Sequence, residues 1–194
     1  MSGTVAVILP PAGPACEAAA ILVRQIHLMP SRFRAVVFGP AGQGALAEVV
    51  HRRVGLAWLP TGAQHRYATR IAEQLTRLRP TVIEVHDAPE VASILGGRFR
   101  PIPVLLILHT DPQAQRGAQD PAARTYLLAQ ATRVAALSDA LRTRLLEGVH
   151  PAVRHCTLLP PPDGPLGPQG TADALDTLRL DALKAWSRPL HGPI

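Results

Sequence analysis

Aromatic residues are scarce, at 4% of the chain. That argues against a platform on which single-stranded nucleic acid stacks, which needs aromatic faces. It also means that a core must be built from Ala, Val, Leu and Ile. Lysine is nearly missing: Lys184 is the single lysine among 20 basic residues. The rest is arginine, spread without a dense basic run. A net charge of +6 and a pI near 10.6 therefore read as a dispersed basic surface rather than a nucleic-acid footprint. Contact with acidic lipid headgroups stays open. Only two cysteines occur, Cys16 and Cys156, far apart and without a C-x-x-C spacing. They suggest a reducing compartment and no disulfide framework. The first residues lack a basic region, and Pro10, Pro11 and Pro14 interrupt any apolar run, so no signal peptide is expected. The aliphatic run Val104 to Leu108 is far too short to span a bilayer. These absences together lead us to expect a cytoplasmic protein. No G-x-G-x-x-G stands after the first strand pattern, which weighs against a dinucleotide-binding fingerprint.

What is present is a length of 194 residues, 47% of them hydrophobic and 18% charged. That is enough for one α/β domain with a real core. The most informative stretch is TVIEVHDAPEVASILGGRFRPIPVLLILHTD, residues 81–111. A short apolar run, Val82 to Val85, ends in His86-Asp87. A second, Val104 to Leu108, ends in His109-Thr110-Asp111. Short aliphatic runs bounded by Pro or polar residues are how strands buried on both faces read. Pro89 to Leu95 between them predicts a helix closed by Gly96-Gly97. Strand, helix, strand predicts two parallel strands whose carboxyl ends share one sheet edge. Open α/β sheets bind ligands at that edge.

In chain order the pattern predicts a strand at Thr4–Leu9 and a helix at Ala15–Met29. Next come a strand at Arg34–Phe38, a short helix at Gly44–Arg53 and a strand at Val54–Leu59. An amphipathic helix at Ala63–Arg79 places Ile71, Leu75 and Leu78 on one face. After the paired strands come a helix at Pro121–Thr132, a strand at Val134–Leu137, a helix at Ser138–Gly148 and a strand at Arg154–Leu159. Ser138 suits an N-cap. Strands alternating with helices predict a Rossmann-like parallel sheet with helices on both faces. The expected domain spans residues 1–159. The Pro/Gly-rich segment 160–172 reads as a linker, and residues 173–194 as a terminal helix and the approach to another domain.

Four residues at the two strand ends invite chemistry: His86, Asp87, His109 and Asp111. Imidazole and carboxylate together could hold a divalent metal for hydrolysis, although the spacing matches no zinc signature. Each also has a plain structural role open to it. A strand-end histidine can be satisfied by backbone, His86 or Asp87 can cap the helix at Pro89, and Asp111 can be a turn residue ahead of Pro112. His51, His65, His150 and His155 show no ligand spacing and read as surface residues.

The order of segments resembles the N-terminal, acceptor-side domain of GT-B glycosyltransferases of the retaining family 4 type. The likeness is carried by VHD at 85–87, LHTD at 108–111, ATRVAALSDALRTRLLEG at 131–148 and LPPPDG at 159–164. It covers roughly Thr4 to Gly164. The resemblance implies transfer of a sugar from a nucleotide-sugar donor to a hydroxyl acceptor, in polysaccharide or lipopolysaccharide synthesis. It needs no cofactor and no metal. It implies that His109 reaches into the cleft as the catalytic residue. It further implies substrate contacts for Gly13, in the loop PPAGPA at 10–15, and for His86, Thr110 and Ser138. In such enzymes a C-terminal domain holds the donor, so this chain is expected to need that half, fused or as a partner chain, for activity. A stand-alone binding module without catalysis is the other expectation.

Overall fold

A computed structural model describes residues 3–11, 14–40, 46, 49–54, 62–100 and 102–186. Seven strands among them form one parallel sheet: β1 (Gly3–Ile8), β2 (Phe33–Gly39), β3 (His51–Arg53), β4 (Val82–His86), β5 (Val104–Leu108), β6 (Arg133–Ala136) and β7 (Thr157–Leu158). Their order is β3-β2-β1-β4-β5-β6-β7. The helices are α1 (Pro14–His27), α2 (Ala63–Leu78), α3 (Pro89–Arg98), α4 (Pro121–Gln130), α5 (Asp139–Leu146) and α6 (Gly167–Trp186). This is the expected Rossmann-like sheet. The chain runs outward through β1, β2 and β3, then crosses back to β4 beside β1. The direction of winding therefore switches between β1 and β4, where such sheets open a crevice at the carboxyl ends of their strands.

The paired strands behave as expected. β4 and β5 are parallel neighbours in the register Ile83↔Val104 through His86↔Ile107. Side chains alternate across a strand, which divides β4 between two cores. Ile83 and Val85 pack with α2, α3, α4 and α5. Val82 packs on the opposite face with α1 and α6. Glu84 and His86 share that second face with Val82, and both are fully buried.

Several expected boundaries move. The short helix expected at 44–53 does not reach Arg53, because His51–Arg53 pairs with Val37–Gly39 as β3. Of the strand expected at 54–59, Val54 lies just past β3 and residues 55–59 lie outside the described residues. Gly96 and Gly97 do not close α3 but lie inside it. Helix α3 ends instead at Phe99, whose N–H bonds the Leu95 carbonyl. A Cβ on Gly96 would stand 2.6 Å from the Gln130 carbonyl oxygen. The glycine is there because α3 and the end of α4 approach too closely for a side chain. The last strand is two residues long, preceded by a 3₁₀ turn at Pro151–Val153.

The largest change is at the end of the described chain. Helix α6 starts at Gly167, inside the segment read as linker, and packs onto the sheet. Ala172, Leu175, Leu178 and Ala182 enter the same core as α1. The proline run before it turns the chain, and the Thr171 hydroxyl donates to the Pro160 carbonyl at 2.8 Å. No described helix is long and apolar enough to cross a membrane.

Candidate functional site

The site lies at the carboxyl ends of β4 and β5. His86 is the last residue of β4, and its Nδ1 stands 2.8 Å from His109 Nε2, just past β5. The two rings meet edge to face, at 77° and 4.9 Å between centroids. Parallel pairing of the two strands brings these histidines together, as the sequence pattern predicts.

Asp87 comes next, with a positive φ of 43°. Left-handed backbone is uncommon outside glycine, and Asp is among the residues that tolerate it. Here it turns the carboxylate under the chain leaving β5. Asp87 Oδ1 accepts from the His109 N–H at 2.8 Å, the Thr110 N–H at 3.2 Å and Gln115 Nε2 at 3.1 Å. Gln115 Nε2 also donates to Thr110 Oγ1 at 2.7 Å. Asp87 thus shapes the His109 loop and caps no helix: the N-cap of α3 is Ala88, without a side-chain bond. Strain of this kind gathers where a site must hold a fixed shape.

Behind the histidines lies a buried ionic network. Glu84 Oε1 is 2.7 Å from His86 Nε2. Glu84 Oε2 accepts from Arg179 Nε of α6 at 2.9 Å, with Arg179 Nη2 2.7 Å away. Arg179 Nη1 in turn donates to Asp176 Oδ1 at 2.7 Å. Asp176 accepts from the Ser31 hydroxyl and the Arg32 N–H, both at 2.8 Å. His27 Nε2, on α1, stands 3.5 Å from Glu84 Oε1. A charge this deep is tolerable only when paired and hydrogen-bonded.

The electrostatics result from that arrangement. Burial alone would raise the Glu84 carboxyl. The Arg179 guanidinium, helped by the two imidazoles, outweighs burial and holds it well below the usual carboxylate range. Burial lowers His109 well below the ordinary histidine value. His86 beside it adds to the effect, against the weaker pull of Glu84. Burial likewise lowers His27, with Glu84 opposing. His109 is therefore held as a neutral imidazole at neutral pH, with one ring nitrogen able to accept a hydrogen bond.

The remaining residues singled out from sequence are more scattered. Thr110 sits beside His109 in the loop that Asp87 and Gln115 hold. Ser138 is exposed and caps α5, accepting from the Leu141 N–H at 3.3 Å. It stays at the same sheet edge, since the Leu137 N–H donates to the Leu108 carbonyl at 3.1 Å. Gly13 lies outside the described residues. Asp111 turns away: it accepts from the Gln113 N–H at 2.9 Å and pairs with Arg144 at 3.1 Å, the turn role open to it. His150 is also a cap, its Nδ1 accepting from the Ala152 N–H. The metal-hydrolase alternative needed His86, Asp87, His109 and Asp111 to converge. Both ring nitrogens of His86 are already engaged, and Asp111 faces Arg144. Among the described residues no group of three or more His, Cys, Asp or Glu is placed to hold a metal ion. Glu84, Arg179, His27 and Gln115 were not anticipated. The signal for Glu84 was available: a carboxylate inside an apolar strand, two residues before His86, must face the same side and must find a cation.

No protein-family model matches the chain, and no curated protein matches it by sequence. Solved structures do match. UDP-GlcNAc 2-epimerase from Neisseria meningitidis bound to UDP-GlcNAc is similar over 95% of this chain and 52% of its own, at 14% identity and a TM-score of 0.55. UDP-N-acetylglucosamine 2-epimerase from Rickettsia bellii is similar over 93% and 48%, at 11% identity and a TM-score of 0.54. Phytolacca americana UGT2, complexed with UDP-2fluoro-glucose and pterostilbene, is similar over 83% and 54%, at 14% identity and a TM-score of 0.50. The chain spans about half the length of the solved chains it matches. At these identities the likeness establishes the fold: a Rossmann-like parallel domain of the kind that makes up about half of each of these larger proteins.

Proposed function

We propose that this chain is the acceptor-side half of a GT-B glycosyltransferase that moves a sugar from a nucleotide-sugar donor to a hydroxyl acceptor. The observation that carries the reading is the His86–His109 pair at the carboxyl edge of β4 and β5, held in shape by Asp87 and next to the switch point between β1 and β4. A neutral imidazole at that edge suits a hydroxyl group. Support also comes from solved proteins of the same fold whose names carry UDP or UDP-sugars. A second α/β domain, fused or separate, would supply the nucleotide and phosphate contacts. Within this half His109 holds a sugar hydroxyl or the reacting face of the acceptor, with Thr110 beside it. Transfer then rests on positioning, and on stabilising charge at the anomeric carbon and leaving phosphate. By family resemblance the anomeric configuration is retained and the product is an envelope polysaccharide or lipopolysaccharide, made in the cytoplasm.

The epimerases among the similar structures favour a second reading, in which the same edge serves a rearrangement of the nucleotide sugar itself. Product analysis separates the two. The chain, assembled with a donor-binding half, is incubated with UDP-GlcNAc or UDP-glucose, with and without a sugar acceptor. Acceptor-dependent release of UDP and a glycosylated product support transfer. Acceptor-independent conversion of UDP-GlcNAc to an epimer sinks transfer in favour of the second reading. Neither outcome from any donor leaves the non-catalytic binding module as the reading to adopt.

A further inference from the structure

The buried network reaches from α6 to the site by a continuous set of contacts, Arg179 to Glu84 to His86 to His109. Each contact constrains the next. An ionised carboxylate only accepts hydrogen bonds. Glu84 Oε2 is taken by Arg179, so Oε1 faces His86 Nε2, and that nitrogen must carry the proton. A neutral His86 protonated on Nε2 leaves its Nδ1 a lone pair for His109 Nε2, which is then the N–H partner. The proton of a neutral His109 is thereby fixed on Nε2, and its Nδ1 keeps a lone pair.

The far side of His109 fits this. His109 Nδ1 stands 3.9 Å from Asp87 Oδ2, and both atoms are buried without a hydrogen-bond partner among the described residues. If Nδ1 carried a proton, a donor would face a carboxylate across a gap that a small ring rotation could close. Buried N–H groups left unpaired are rarer than under-used acceptors. At 3.9 Å the two atoms make no hydrogen bond.

We propose that Arg179 and Glu84 are positioning residues for His109: acting through His86, they fix its Nε2–H tautomer and leave His109 Nδ1 as an acceptor on the side of the Asp87 carboxylate. The burial that keeps His109 uncharged acts in the same direction. The use of that acceptor for a hydroxyl rests on the functional reading above, whereas the tautomer does not.

The test is long-range proton–nitrogen correlation NMR of the imidazoles in the nitrogen-15-labelled 194-residue chain at neutral pH. We expect His86 and His109 each to show one neutral form, protonated on Nε2. A His109 protonated on Nδ1, or either ring protonated on both nitrogens, overturns the proposal without any variant. Glu84→Gln supplies the second arm, since an amide can donate or accept and no longer dictates the His86 proton. His109 should then lose its single form and show a mixture of tautomers. Where that variant fails to fold, Glu84→Gln combined with Arg179→Met removes both buried charges and is read the same way. A folded variant with an unchanged single His109 tautomer also overturns the proposal. Sugar transfer is not measured here, so failure of the glycosyltransferase reading and failure of the tautomer are separate results.

Discussion

Glu84 and Arg179 are 95 residues apart in sequence and share a buried salt bridge, with Arg179 Nε donating to Glu84 Oε2 at 2.9 Å. The pair ties α6 to the centre of the sheet directly behind the two histidines. The helix that arrives last in the described chain is therefore part of the support of the site.

Removing one partner of this pair should be far worse than removing both. Arg179→Met leaves the Glu84 carboxylate buried beside imidazoles alone, and should cost about 3–5 kcal/mol of stability. Arg179→Met with Glu84→Leu removes both charges and should recover most of that loss, although Asp176 then keeps only Ser31 and Arg32. Urea denaturation of the two variants measures this. Equal losses in the single and double variants would mean that the network is not the coupled unit described.

The two glycines of α3 should respond in opposite ways. Gly96→Ala drives a methyl against the Gln130 carbonyl and should destabilise by about 1–3 kcal/mol, the usual range for overpacking. Gly97→Ala meets only the Gln130 side-chain oxygen at 3.7 Å. It should be neutral or stabilise by roughly 0.5–1 kcal/mol through helix propensity. Thermal melts of both variants decide. Similar behaviour would argue for a helix that ends at 96–97 after all.

Acid should weaken the fold in two stages. His27 and His109 are held below the ordinary histidine value, so the unfolded chain binds more protons as pH falls through about 6.5. Their contribution is fully present above that pH and is lost below it. Glu84 is held low, so its contribution is present above the unfolded carboxyl value of about 4.3 and is lost as pH falls further, toward its folded value. Denaturation midpoints at a series of pH values should therefore fall first between about pH 6.5 and 5. His27→Gln should flatten part of that first slope. A wild-type profile that is level across this window would contradict the buried neutral state of both histidines.

Much of this architecture was legible because short aliphatic runs with abrupt polar ends have few other meanings. Val82–Val85 and Val104–Leu108 fixed two adjacent strands, and parallel pairing alone brought His86 to His109. The helix limits were harder. Gly96-Gly97 looks like a helix end in sequence, and only the approach of Gln130 explains it as a packing site. The segment 160–172 is rich in Pro and Gly, which hides that Gly167 begins a helix. Arg179 on that helix finds its partner Glu84 on a distant strand, and no local pattern announces a long-range ion pair. His51–Arg53 is an edge strand of three residues, too short for any period to register. At the site, the histidines stood at strand ends where pattern is informative. Arg179 and Gln115 act through tertiary contacts that pattern does not carry.

The central claim is that His109 serves a reacting hydroxyl at the carboxyl edge of β4 and β5. It is tested most directly by steady-state kinetics of His109→Ala in this chain assembled with a donor-binding half. Turnover should fall by about one to three orders of magnitude, the scale of losing a transition-state contact. The variant should stay folded with a lowered melting temperature, since the buried His86 Nδ1 loses its partner at a cost of about 1–3 kcal/mol. Turnover close to wild type in a folded His109→Ala variant would reduce His109 to a structural strand-end residue and contradict the claim.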